Sequence, residues 1–185
     1  MSDVDHSAGL QEEVLRYLDG LYGYAMTLTR SPTEADDLMQ ETYTQAAPHV
    51  GELKQGSNLK GWLFTIMRNI WLKQLRHVRG GPEFVAFDDD SKAQRALDTI
   101  DDPQVLYERI WEREEIRMAL EHLPNNHREV IILRDIEGFS YKEMAELLDC
   151  PVGTIMSRLA RARARLKRSL LARQNSSWGR AMPGA

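Results

Sequence analysis

Residues 138–168 read GFSYKEMAELLDCPVGTIMSRLARARARLKR, and this stretch decides the fold. Ser140-x-x-Glu143 is a capping box: the serine hydroxyl accepts from the third helical N–H and the glutamate reaches back to the cap. The short helix it opens turns Met144, Ala145, Leu147 and Leu148 toward a core. Asp149-Cys150-Pro151-Val152-Gly153 ends that helix, since proline and glycine are costly inside one. Thr154 is the expected cap of a second helix, with Ile155, Leu159, Ala162 and Leu166 on its inner face at helical spacing. The opposite face carries the small residues Ser157, Ala160 and Ala164. Arg161 and Arg168 flank it on one side, Arg163 and Lys167 on the other, and no acidic residue occurs between Gly153 and Arg173. Small residues let a helix enter a groove while flanking cations meet phosphates on its walls. Helix, tight turn and basic second helix make the helix-turn-helix pattern, with the second helix in the major groove of DNA. The competing reading is a solvated basic amphipathic helix. Capping, breaker and charge distribution agree on DNA.

Composition sets the frame for this motif. A chain of 185 residues with 42% apolar content can form one or two small cores. The net charge of −4 excludes a protein that coats DNA by bulk charge. Charge is instead segregated, basic in the last helix and acidic at residues 88–102. A single cysteine excludes an internal disulfide and fits a reducing compartment. No apolar run approaches the roughly 20 residues that span a bilayer. The polar, acidic start MSDVDHSAG is unlike a signal peptide, so no membrane insertion and a cytoplasmic location are expected.

From the start of the chain, residues 1–9 are expected to be disordered. Leu10, Val14, Leu18, Leu21, Ala25 and Leu28 predict an amphipathic helix over residues 10–29. Ser31-Pro32-Thr33-Glu34 is a second capping box with proline at the favoured first position. Its helix runs to about residue 47, with Ala35, Leu38, Met39, Thr42 and Ala46 inward. Asp37, Gln40, Glu41 and Thr44 form an outer stripe that pattern alone reads as solvated. After a loop at 48–57, residues 58–76 are apolar on two sides, Leu59, Leu63, Ile66 and Ile70 on one and Phe64, Met67, Trp71 and Leu75 on the other. Such a helix is largely buried. Between those sides runs a line of Trp62, Thr65, Asn69, Lys73 and Arg76. An aromatic ring with amide and cationic groups in line suits unstacked bases and phosphates, although a tryptophan on a helix is more often core.

Residues 77–104 hold Gly80-Gly81-Pro82, Asp88-Asp89-Asp90 and Asp101-Asp102-Pro103, a composition that predicts a flexible acidic linker. Helical periodicity returns over 105–123. Leu123-Pro124-Asn125-Asn126 is a turn and cap, and residues 127–136 lead into the opening motif. The expected architecture is all-α. It has an N-terminal helical domain at 1–79, a linker at 80–104, a helix-turn-helix domain at 105–173 and a disordered tail at 174–185.

Two blocks now stand in one order. The first reads Ala35-Asp36-Asp37-Leu38-Met39-Gln40-Glu41-Thr42-Tyr43 and continues as Asn58-Leu59-Lys60-Gly61-Trp62-Leu63-Phe64-Thr65-Ile66-Met67-Arg68-Asn69. The second comprises Leu123-Pro124, Arg128-Glu129-Val130, Gly138-Phe139-Ser140-Tyr141-Lys142-Glu143-Met144-Ala145 and Cys150-Pro151-Val152-Gly153-Thr154-Ile155-Met156-Ser157-Arg158-Leu159. These blocks resemble regions 2 and 4 of the extracytoplasmic-function (group IV) sigma factors of bacterial RNA polymerase, through AEDLVQETF, WLYRIARN and LP…REV…GLSYEEIA…CPVGTVxSRL. The resemblance covers roughly residues 10–171.

The resemblance implies a transcription initiation factor that binds core RNA polymerase, recognises −10 and −35 promoter elements, serves stress-response regulation and is controlled by an anti-sigma factor. It places Asp37, Gln40 and Glu41 against the β′ clamp helices, overturning the solvated reading of that stripe, with the β subunit a further contact. It makes residues 50–57 a loop that receives a flipped −10 base. Lys60, Trp62, Thr65, Arg68, Asn69, Lys73 and Arg76 fall on the −10 helix. Thr154, Met156, Ser157, Arg158, Ala160, Arg161, Arg163 and Arg165 fall on the −35 helix, with Arg158, Arg163 and Arg165 nearer the phosphates or the fold. Two positions depart from the family. Lys73 replaces a usual aspartate, and Met156 replaces a frequent arginine or lysine and cannot make the bidentate guanine contact. The alternative is a stand-alone helix-turn-helix regulator, but such proteins usually dimerise and nothing here supplies a dimerisation helix. Catalysis, metal and cofactor are not expected: His6, His49, His77, His122, His127 and Cys150 make no ligand spacing. The acidic segment 88–102 suggests a screen over the basic helix in the free protein.

Overall fold

The computed structural model describes residues 14–54, 56–79 and 113–178, and all regular structure among them is helical. The expectations for residues 1–9, for the acidic linker and for the end of the tail fall outside the described residues. Helices α1 (Leu18–Thr29), α2 (Pro32–Ala46) and α3 (Leu59–Arg79) pack on one another, with a 3₁₀ turn (Val50–Glu52) before α3. Helices α4 (Arg113–Glu121), α5 (Asn125–Ile131), α6 (Tyr141–Leu148) and α7 (Val152–Trp178) form a second unit, with a π turn (Ile132–Ile136) after α5. The units also pack together, α1 against α5 and α3 against α6.

Local chemistry sets most helix ends. At α6 both capping-box bonds form: Glu143 N–H donates to Ser140 Oγ at 3.3 Å and Ser140 N–H to Glu143 Oε2 at 2.8 Å. Asp149 then turns left-handed (φ 51°) and stops the helix. At α2 only half of the box forms. Glu34 N–H donates to Ser31 Oγ at 3.4 Å, but Ser31 N–H goes to Thr29 Oγ1 at 3.3 Å instead of Glu34.

The structure corrects several boundaries. α1 begins at Leu18, because Tyr17 N–H bonds back to Val14 O at 3.1 Å in a tighter turn that interrupts the expected longer helix. α7 begins at Val152, so Thr154 sits inside its first turn and does not cap it. The Pro151 carbonyl accepts from Thr154 and Ile155 N–H at 2.9 and 3.2 Å. α7 also runs to Trp178, into the segment expected to be disordered, since no proline or glycine intervenes before Gly179.

One apolar cluster runs through both units. Leu21, Tyr24, Leu38, Leu63, Phe64 and Met67 are fully buried in the first, and Leu133, Met144, Ile155 and Leu159 at most 2% exposed in the second. Each such side chain contributes on the order of 1.5–3 kcal/mol by leaving water. The units join through aromatic rings. Tyr24 stacks on Phe64 at 5.1 Å between centroids, and Phe64 meets Phe139 edge-on at 5.0 Å, geometries that aromatic quadrupoles favour.

Candidate nucleic-acid and polymerase interfaces

On α3 the predicted line divides by helical phase. Asn69, Lys73 and Arg76 are exposed, and Trp62 and Thr65 are half-buried beside them. These five share a face, because steps of three and four residues return to one side of a helix. Lys60, Phe64 and Arg68 lie at i, i+4 and i+8 on another face, turned to the second unit. Lys60 Nζ bonds the Glu137 carboxylate at 2.8 Å and the Glu137 carbonyl at 2.5 Å, over the Phe139 ring. Arg68 is only 7% exposed, and its Nε donates to Glu129 Oε1 at 3.2 Å. In this arrangement Lys60 and Arg68, both expected on the nucleic-acid line, are turned to the other unit. Both cations are neutralised by carboxylates of the other unit.

Glu129 is the hub of that buried contact. It also accepts from the Tyr24 hydroxyl at 2.7 Å. Burial first, then the Glu129 charge, holds the Tyr24 phenol well above its ordinary pKa. Nearby, Arg128 donates to Thr27 O at 2.8 Å and Asn125 Oδ1 at 2.9 Å, while Arg30 reaches the same Asn125 oxygen at 2.7 Å. Burial, followed by the Arg30 charge, lowers Arg128 to about 10. None of Tyr24, Asn58, Asn125, Glu129 or Glu137 stood out in the sequence as a site. Their partners are distant in the chain, and periodicity carries no signal for such pairs.

On α2, Asp37 and Gln40 are exposed. Glu41 is half-buried, and its carboxylate accepts from Gln74 Nε2 at 2.9 Å and Gln45 Nε2 at 3.3 Å. The 50–57 loop is anchored by buried Val50 and turns at Gly56, where φ is +85°. That angle is one that only glycine adopts without cost.

On α7, Val152, Gly153, Met156, Ser157, Ala164, Lys167 and Arg168 are exposed, while Thr154, Ala160, Arg161, Arg163 and Arg165 are partly so. Arg158, expected near the phosphates or the fold, is 5% exposed and lies with the core side of the helix. Arg163 grips Asp135 with two bonds, Nε to Oδ2 at 3.1 Å and Nη2 to Oδ1 at 2.5 Å, which ties α7 to the π turn. Cys150 is half-buried in the turn, and burial pushes its thiol up, away from the reactive thiolate. Among the described residues no cluster of three or more His, Cys, Asp or Glu could hold a metal, and no helix is long and apolar enough to cross a membrane.

An acidic helix, an aromatic and cationic helix, and a helix-turn-helix with a small-residue outer face define a promoter-recognition protein. Sigma-70 region 2 matches residues 14–80 and Sigma-70 region 4 matches residues 113–166. The chain is 38% identical over 157 residues to the ECF RNA polymerase sigma factor EcfG of Rhodopseudomonas palustris, covering 85% of this chain and 82% of that protein. It is 30% identical over 165 residues to the RNA polymerase sigma-H factor of Pseudomonas aeruginosa, covering 85% and 83%. The fold is similar to that of the sigma factor RpoE of Bartonella quintana, solved with the anti-sigma factor NepR. The TM-score is 0.64 at 33% identity, over 86% of this chain and 95% of that one. The chain belongs to the extracytoplasmic-function sigma factors of RNA polymerase, which initiate transcription by binding core polymerase and promoter DNA through regions 2 and 4. The identification made from the two sequence blocks is borne out.

Proposed function

We propose that this sigma factor divides its work among three faces. Asp37, Gln40 and Glu41 on α2 meet the β′ clamp helices of the polymerase. Trp62, Thr65, Asn69, Lys73 and Arg76 on α3 hold the unstacked −10 strand, with residues 50–57 receiving a flipped base. Met156, Ser157, Ala160 and Arg161 on α7 read the −35 duplex, with Lys167 and Arg168 on its phosphates. The observation that carries this reading is the separation on α3, where one face exposes Asn69, Lys73 and Arg76 with half-buried Trp62 and Thr65 beside them while its neighbour is sealed against region 4. Extruding a base costs a few kcal/mol, which stacking at roughly 1–3 kcal/mol per base offsets. Tethering both units to polymerase raises the effective concentration of each at its element.

The working place is the cytoplasm, where polymerase and promoter are found. An anti-sigma factor controls the protein, as the NepR complex of the Bartonella relative suggests. Transcription from a promoter library with core polymerase tests the whole reading. Initiation from a shared −35/−10 pair only when this protein is added supports it. Tight DNA binding by the protein alone, with no initiation, would replace it by a stand-alone regulator.

A further inference from the structure

Val152 and Met156 are large apolar side chains that the first half of α7 turns to solvent, at 41% and 53% exposure. They stand one turn apart, and half-buried Ala160 continues the same column. The inner face of the same helix is sealed, with Ile155 and Leu159 at most 2% exposed. The polar groups beside the column are engaged within the helix. Ser157 Oγ donates to Thr154 O at 3.1 Å, and Arg161 Nε donates to Ser157 O at 3.3 Å. The helix tip therefore offers thioether and methyl groups where a guanidinium would seek guanine. In the major groove the one apolar feature that differs between bases is the thymine C5 methyl. Methionine is flexible and polarizable, and adapts its contact to such a group.

We propose that Met156, supported by Val152, is a specificity-determining residue of the −35 contact and reads thymine methyl groups by van der Waals packing. This rests on α7 being the −35 reader. The preference for thymine at these steps then comes from the C5 methyl and not from the O4 acceptor.

The test uses the full-length protein with core polymerase. A −35 element is first selected from a randomised promoter library by run-off transcription. Each thymine of that element, on either strand, is then replaced by uracil, which removes only the methyl. Wild type loses about fourfold in initiation at one or two thymines, equivalent to about 0.8 kcal/mol at 1.36 kcal/mol per tenfold. Met156→Ala, whose exposed side chain takes no part in the core, loses that uracil sensitivity. Met156→Lys shifts the selected base at that step toward guanine. Tolerance of uracil at every thymine by wild type, or an unchanged uracil penalty in Met156→Ala, would overturn the proposal. The absence of any promoter-specific initiation by wild type is a different failure, and would remove the −35 reading along with it.

Discussion

The Asn58 side chain starts one helix and holds the start of another. Its Oδ1 accepts from Gly61 N–H at 2.9 Å, capping α3, while its Nδ2 donates to Glu143 Oε1 at 2.6 Å. Glu143 is in turn half of the capping box of α6. One chain of hydrogen bonds thus joins the cap of α3 to the cap of α6. Asn58→Ala should cost about 1 kcal/mol as a lost cap. A double-mutant cycle with Glu143→Ala, read by urea denaturation, should show a coupling of about 0.5–1 kcal/mol. Additive single effects would mean that the link contributes nothing.

Glu129 is the more consequential contact. Replacing it with alanine leaves Arg68 buried beside no counter-charge, which costs roughly 3–5 kcal/mol. The urea midpoint should fall, and amide exchange should quicken on α3 and α5 together. Tyr24→Phe removes one hydrogen bond and should cost only about 1 kcal/mol. Equal losses from the two changes would contradict the role of Glu129 as the hub.

Stability should fall at both ends of the pH scale for separate reasons. The Tyr24 phenol is raised by burial, so the folded state keeps its proton when the unfolded chain loses it near pH 10. Its stabilising share is complete below pH 10 and is lost as pH rises above it. Glu143 is lowered by its bonds from Ser140, so its share is present above the ordinary value of 4.5 and is lost as pH falls through the folded value. Tyr24→Phe should flatten the alkaline limb of a stability profile, and Ser140→Ala the acid limb. A profile that neither substitution alters would refute both assignments.

Promoter contacts separate by assay. Arg161→Ala should reduce −35-dependent transcription by about 1–3 kcal/mol in effective binding, roughly fivefold to 150-fold. Trp62→Ala should leave −35 binding intact and weaken strand opening by about 1–3 kcal/mol, seen as reduced permanganate reactivity of −10 thymines. Undiminished transcription from Arg161→Ala would remove that residue from the −35 contact.

Lys60 and Arg68 can meet nucleic acid only if region 4 leaves them. Fluorescent labels at exposed Thr33 and Glu146 should move apart when core polymerase is added. An unchanged distance during productive initiation would show that these cations stay sealed.

Local chemistry was legible wherever its partners are near in sequence. The Ser140/Glu143 box, the inner face of α7 and the line from Trp62 to Arg76 follow from spacing alone. The Ser31 box was half right, because a hydroxyl at Thr29 takes the bond that the pattern assigns to Glu34. The burial of Arg68 was not legible, for a different reason. Helical phase tells which residues share a face, but not that Glu129, far along the chain, covers it. Sequence left Arg158 between the phosphates and the fold, and only its burial places it with the core.

The π turn at 132–136 has a consequence for how this chain can change. It closes with Glu137 N–H on Ile132 O at 2.9 Å, one residue wider than an α-helical turn. Directly after it, Glu137 bonds Lys60 and Phe139 meets Phe64 edge-on. Deleting one residue here would let the segment close as an ordinary α turn, removing the Glu137–Ile132 bond and shifting Glu137 relative to Lys60. Its side chains are committed as well, Leu133 to the core and Asp135 to Arg163, so this segment is constrained in both length and composition where the two units meet.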